Sequence, residues 1–148
     1  MQNQDLTDDQ VRDLRALAGM IIPASSVYAV PGADDDKIFD DILRNMERDR
    51  DDIRRALSHL AAIGGCAFAD LEAEHRAEVA KAFREVGGPP LAALVRVVLL
   101  CYYRDDRVMQ SLGMEPRSPF PKGHVVEQGD WSLLDPVRAR APMYRTVD

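Results

Sequence analysis

The stretch LAALVRVVLLCYY, residues 91–103, predicts a helix that is apolar on nearly every side and therefore buried among other elements. Arg96 is its only charged residue, and Pro89 and Pro90 precede it, where a helix tolerates missing amide protons. At thirteen residues it is too short to span a bilayer, which needs about 20 apolar residues. We therefore predict a central helix that other helices surround. The side chains predicted to be buried in the core are Val95, Leu99 and Tyr102.

Helix start signals before this stretch predict two further helices. Thr7 and Gln10 have the spacing of a capping box, and an apolar stripe at three- and four-residue intervals follows them. Pro23 ends that stripe and opens a loop over 23–32. The aspartates at 34–36 suit the N-terminus of a second helix, where negative charge is favourable.

The middle of the chain predicts more helices. Charges and an apolar stripe over 47–63 indicate a third helix, or a bent continuation of the second. Gly64 and Gly65 are predicted to end this helical stretch. Asp70 is predicted to be the N-cap of a helix over 71–86. A short helical turn then leads to Gly113. The fold is predicted to be all-α, a compact bundle of about five helices over residues 1–113.

Residues 114–148 differ from the bundle in composition, since five of the nine prolines lie there. Prolines exclude a continuous helix, whereas the aromatic and leucine side chains do not suit a solvated disordered tail. Because aromatic residues and arginine are enriched at interface hot spots, we predict an extended, mostly irregular tail of the same domain that binds a partner chain. Whether most of this tail packs on its own bundle stays open. The residues predicted to contact a partner are Tyr102, Tyr103, Arg117, Phe120, Trp131, Leu133, Leu134, Arg138 and Tyr144.

Composition and motifs weigh against several classes of function. The chain has 148 residues and a net charge of −6, which fits one acidic domain and disfavours nucleic acid as a partner. No nucleophile elbow, dinucleotide fingerprint or phosphate-binding loop occurs. Cys66 and Cys101 lack the spacing of metal ligands and are predicted to be buried thiols. We predict no catalytic, cofactor-binding or metal-binding residue in this chain.

Glu72 and His75 have the ExxH spacing by which helix bundles hold iron. A di-iron site needs a second such pair and two further glutamates, and the sequence has no second copy. A metal-dependent oxygenase is therefore the weakest of the alternatives.

Two stretches carry a resemblance: AGMIIPASSVYAVPGADD, residues 18–35, and LLCYYRDDRVMQSLGMEPRSPFPKGHVVEQGDWSLLDPVRAR, residues 99–140. An Ile-Ile-Pro step, a Pro-Gly-Ala step, a Tyr-Tyr pair and a late proline-rich segment follow one another in this order. Together they resemble the gluconate 2-dehydrogenase subunit 3 family, the small non-catalytic subunits of bacterial flavin-dependent dehydrogenases. The positions that fit are Ile21, Ile22, Pro23, Pro31, Gly32, Ala33, Tyr102, Tyr103, Gly113, Pro119, Pro121 and Gly123.

The resemblance implies a helical accessory subunit of a hetero-oligomer. Its partner would be a large FAD-dependent dehydrogenase or oxidase subunit of the glucose-methanol-choline type, which acts on an alcohol or sugar and holds both the FAD and the catalytic base. The small subunit would stabilise or mature that partner.

Many family members begin with a twin-arginine export signal, whereas the segment Met1 to Asp9 here is polar and acidic. We therefore expect a cytoplasmic complex, or a periplasmic one if the partner has an export signal. A stand-alone helical module that binds a ligand near Tyr102 and Tyr103, or that has a regulatory role, stays open as the rival hypothesis.

Overall fold

The structure of the chain is a computed structural model that describes residues 6–117, 123, 125–141 and 143. The predicted contact residues Phe120 and Tyr144 lie outside the described residues, as do the prolines at 119 and 121. Every regular element in the described part of the chain is helical, which confirms the all-α class. The chain divides into two units, Met1–Pro116 and Arg117–Asp148, whereas the predicted division follows Gly113.

The first unit is built from α-helices that loops and turns connect. Within its described residues these are α1 (Asp8–Ile21), α2 (Asp36–Asn45), α3 (Arg50–Gly64), α4 (Ala73–Val86), α5 (Pro89–Tyr103) and α6 (Asp106–Ser111). Turns of 3₁₀ helix, Glu47–Asp49 and Phe68–Asp70, precede α3 and α4. The helix α3 packs on α1, α4 and α5, and α5 also packs on α2, so α3 and α5 form the centre of this unit.

The predicted helix ends are confirmed where a side chain or a glycine determines them. The Thr7 hydroxyl accepts a hydrogen bond from the Gln10 amide, and the Gln10 side chain accepts one from the Thr7 amide, both at 3.2 Å. Asp35 caps α2 by accepting from the amide of Lys37 at 3.1 Å. Gly65 ends α3 in the left-handed conformation at φ 72°, which a residue with a Cβ adopts only at a cost.

The predicted N-cap of the fourth helix is wrong. The helix α4 begins at Ala73, and Asp70 lies instead in the preceding 3₁₀ turn. The Asp70 carboxylate accepts a hydrogen bond from the Arg12 guanidinium of α1 at 2.8 Å. The side chain is therefore engaged by another helix, and the turn that holds it packs against α1.

The prediction that other helices surround α5 is also wrong on one side. Tyr102 is buried as predicted, Val95 is half-buried, and Leu99 is exposed. The helices α2 and α3 cover the opposite side of α5. Among the described residues, no single helix is both long enough and apolar enough to span a membrane. The helices α4 and α5 have that length and composition only when taken together, and a bend of 115° separates them.

The second unit, for which a mostly irregular tail is predicted, contains one short helical segment among its described residues. A 3₁₀ turn, Trp131–Leu134, leads directly into the short helix α7 (Asp135–Arg138). The Asp130 carboxylate begins this segment by accepting from the amide of Ser132 at 3.0 Å. The proline of α7 lies in its first turn, where its missing amide proton costs nothing, and this is why proline did not prevent the helix.

Candidate partner-binding surface

The helix α5 has two apolar faces that point in opposite directions. The inner face consists of the buried residues Ala93, Leu94, Val97, Val98, Cys101 and Tyr102. The outer face consists of Ala92, Val95, Arg96, Leu99, Leu100 and Tyr103. Members of each set recur at three- or four-residue intervals, so each set occupies one side of the helix.

The outer face is an exposed apolar surface. It lines a shallow depression of about 710 Å³ together with Arg104. Leu100 is 56% exposed and Tyr103 is 54% exposed, whereas Leu94 on the inner face is fully buried. Because contiguous apolar surface is unfavourable in water, such a surface in a folded chain is typical of a contact site for another molecule.

Two arginines, Arg96 at the edge of the outer face and Arg104 beside it, are fixed by acids from other elements. Arg96 forms an ion pair with Asp49 in the turn before α3. Arg104 donates to the Asp41 carboxylate of α2 at 2.6 Å. These contacts neutralise the two cations and hold them beside the face, so its centre remains apolar.

The structure separates the two tyrosines of the Tyr-Tyr pair. Tyr102 is only 4% exposed, and its hydroxyl donates to the backbone oxygen of Pro31 at 3.2 Å. Burial raises the pKa of the Tyr102 phenol. The two rings meet edge to face with their centroids 5.2 Å apart. Tyr103 therefore lies on the surface that a partner could contact, and Tyr102 does not.

The Pro-Gly-Ala step closes a loop below Tyr102. The Ala33 amide donates to the Ile22 oxygen at 2.9 Å, which joins the two ends of the loop. Gly32 is buried, and a Cβ added there would lie 2.9 Å from the backbone nitrogen of Ala24, which is too close. The Pro-Gly-Ala sequence therefore forms a closely packed part of the loop.

The tip of the same loop is apolar and exposed. Ser25 and Val30 exchange backbone hydrogen bonds at 3.0 and 3.1 Å, which leaves Val27 and Tyr28 exposed between them. Sequence reasoning missed this tip, although an apolar pair inside a loop bounded by prolines is a signal that could have indicated it.

An ion-pair network fixes the ends of α2 and α6. The Arg107 guanidinium donates to Asp35 at 2.6 Å and to Asp105 at 2.9 Å, and it holds the pKa of both carboxyls below their usual range. Lys37 lies 3.6 Å from Asp105, whose side chain is almost fully buried. No sequence motif predicts that the two helix ends are joined, because Arg107 and Asp35 are 72 residues apart in the chain.

The second unit exposes its own apolar residues. The Trp131 indole donates to the Gln128 side chain at 2.9 Å and remains 60% exposed. The exposed apolar residues of this segment are Trp131, Leu133, Leu134 and Val137. Three of the predicted contact residues, all of them apolar, are therefore exposed on one short segment.

The two arginines predicted to contact a partner in this unit already have neighbours. Arg138 pairs with Asp135 at 3.3 Å, and Arg117 donates to the Gly123 oxygen at 2.9 Å.

The two thiols and the ExxH pair differ in their exposure. Cys101 is buried, and burial raises its pKa to about 11, whereas Cys66 is exposed, so the prediction of two buried thiols is wrong for Cys66. Glu72 and His75 are both exposed. In the part of the chain that the structure describes, no three His, Cys, Asp or Glu side chains are grouped so that they could hold a metal ion.

The fold and these surfaces define an all-helical chain that exposes apolar faces on α5 and on the segment 131–138. Comparison of the chain with known protein families, curated proteins and solved structures finds no match.

Proposed function

We propose that the chain is a non-catalytic accessory subunit that binds a larger protein chain through the outer face of α5. The observation that supports this proposal is the pair of apolar faces on one helix, of which the described residues of the first unit cover the inner one and leave the outer one exposed. Covering the outer face would remove Leu99, Leu100 and Tyr103 from water, and each square ångström of apolar surface so buried contributes about 25 cal/mol.

The sequence resemblance specifies the partner. It would be a large FAD-dependent dehydrogenase or oxidase subunit of the glucose-methanol-choline type, which holds the FAD and performs the catalysis. The first unit would act as a compact bundle that stabilises this subunit or assists its maturation. The proline-rich tail would be a second contact, with Trp131, Leu133 and Leu134 as its apolar anchors.

The shape of the outer face favours a protein partner over the rival stand-alone ligand-binding module. Small-molecule sites are concave and place a few polar groups around an apolar interior. The outer face belongs almost entirely to one helix, and its two arginines are already paired with acids. A protein surface can cover such a face without needing a free polar group at its centre.

Purification of the tagged full chain from the cells that produce it tests the proposal. We expect it to co-elute with a larger chain that has stoichiometric flavin absorbance, and we expect the chain alone to have none. Purified alone, the chain should self-associate through its uncovered face. A monomer that elutes without a flavoprotein, or a chain that binds flavin or oxidises an alcohol by itself, would contradict the accessory-subunit hypothesis.

A further inference from the structure

A groove between α1 and α4 adjoins the outer face of α5. Leu17 and Phe83, both buried, form part of its lining, and Met20 lies exposed at its edge. Its volume is about 530 Å³. Val95 lines both this groove and the depression on the outer face, so the two surfaces are continuous.

We propose that this groove, here called the α1–α4 groove, binds an amphipathic helix of the partner chain that has acidic residues beside its apolar anchors. The identity of the partner rests on the proposed function, whereas the chemistry of the groove rests on the residues that line it.

The spacing of the lining residues favours a helix as the occupant. On α4 they recur as Ala77, Ala80, Lys81 and Arg84, which is one helical side extending over about two turns. The α1 side contributes Met20 next to buried Leu17. Alanines on one wall leave room for a helix to approach closely, and a methionine at the rim adapts its shape to the side chains that enter. Helices in grooves are recognised in this way through apolar anchors at three- and four-residue spacing.

The charges at the rim favour acidic residues on that helix. Lys81 and Arg84 are exposed, and among the described residues neither has an ion pair within 4.0 Å, although Glu78 and Glu85 lie on the same helix. The arginines that border the outer face differ, because each is paired with an aspartate. Two unpaired cations beside an apolar groove, on a chain of net charge −6, are complementary to carboxylates of the occupant.

Two synthetic peptides test this chemistry on the purified full chain. Both are amphipathic helices with leucines at i, i+3, i+4 and i+7. One has glutamates beside the leucines, and the other has lysines. By fluorescence anisotropy at low salt we expect the acidic peptide to bind about tenfold tighter, and added salt should reduce this preference.

Charge-reversed variants show whether the preference comes from the groove. Lys81→Glu with Arg84→Glu should reverse the order of the two peptides. The matched control is Arg44→Glu with Arg55→Glu, which changes the charge equally at exposed arginines on α2 and α3 and should keep the wild-type order. Thermal unfolding of each variant verifies that it is folded. Equal binding of both peptides to the wild type, or an unchanged preference in the Lys81/Arg84 variant, would overturn the proposal.

A second copy of the chain is the competing occupant. If the wild type dimerises and the Lys81/Arg84 variant is monomeric while neither peptide binds, the groove is a self-association site and the proposal fails.

Binding of the flavoprotein to the wild type and to the Lys81/Arg84 variant tests the groove and the accessory role separately. A flavoprotein that binds the wild type and the Lys81/Arg84 variant equally well would refute the groove as its docking site and leave the accessory role standing. If no flavoprotein binds the wild type but the peptides are discriminated as expected, the groove stands and the accessory role fails.

Discussion

The inner and outer faces of α5 have similar composition and opposite environments. Leu94 on the inner face is fully buried, whereas Leu100 on the outer face is 56% exposed. The helix pattern follows from the residues of α5 itself, but the environment of each face depends on which other helices reach it. In a chain this small, a helix that is apolar on all sides can therefore have one face for its own core and one for another molecule.

Truncation of these two leucines should change the stability of the chain by very different amounts. Leu94→Ala should lower the free energy of unfolding by about 2 to 5 kcal/mol, because it removes buried surface and leaves a cavity. Leu100→Ala should change it by less than about 0.5 kcal/mol. Denaturant unfolding of the purified chain measures both. Equal losses would mean that the outer face is covered within this chain, and the distinction between the faces would disappear.

Trp131 tests whether α5 is the only contact with the partner. Truncation of an aromatic anchor at an interface centre costs about 2 kcal/mol or more, so Trp131→Ala should weaken binding to the flavoprotein about thirtyfold. The control Val125→Ala removes a fully exposed side chain in the same unit and should leave the affinity unchanged. If Trp131→Ala binds like the wild type, the outer face of α5 suffices and the tail is not a main contact.

Arg107 tests whether the helix that follows α5 depends on its ion pairs. Arg107→Met leaves the buried Asp105 carboxylate without its main partner and should cost about 1 to 3 kcal/mol near neutral pH. The lowered pKa values of Asp35 and Asp105 mean that this stabilisation is present above the ordinary carboxyl pKa of about 3.9. It is lost as the pH falls through the lower values of the folded state.

The stability difference between wild type and Arg107→Met should therefore narrow below about pH 4, as measured by denaturant unfolding across the acid range. Arg55→Met, which loses only an exposed pair with Asp52, is the control and should stay close to the wild type. If the difference in unfolding free energy between the wild type and Arg107→Met is the same at neutral and acid pH, the carboxylates of Asp35 and Asp105 do not contribute to stability through Arg107.

Removal of the hydroxyl group from Tyr102 or from Tyr103 should give a small difference in stability. Tyr102→Phe removes the hydrogen bond to the Pro31 oxygen and should cost about 0.5 to 1.5 kcal/mol in unfolding experiments. Tyr103→Phe should be neutral, because its hydroxyl lies on the exposed face. A larger loss from Tyr103 than from Tyr102 would reverse the assignment of the two faces.

Local signals predicted the parts of the fold that local chemistry determines. The capping box at Thr7, the aspartate before α2 and the positive φ at Gly65 each involve residues close in sequence, so their positions could be predicted. Asp70 was predicted wrongly as a helix N-cap because its carboxylate pairs instead with Arg12, which lies 58 residues away in the sequence.

The candidate surface was only partly predictable for the same reason. Tyr103 and Trp131 were predicted as contacts and are exposed. Leu99 was assigned to the core because apolar periodicity identifies a helix face but not the element that covers it. The α1–α4 groove combines residues of three helices, and no pattern along the chain reports how those helices meet.

The affinity of a Leu100→Asp variant for the flavoprotein shows whether the outer face of α5 is the docking surface. The control is Leu112→Asp, since Leu112 is 57% exposed and lies off the outer face. If the outer face of α5 is the docking surface, Leu100→Asp should bind at least about thirtyfold more weakly than the wild type and unfold at the same temperature, and Leu112→Asp should bind normally. Equal dissociation constants for the wild type and Leu100→Asp would contradict the account.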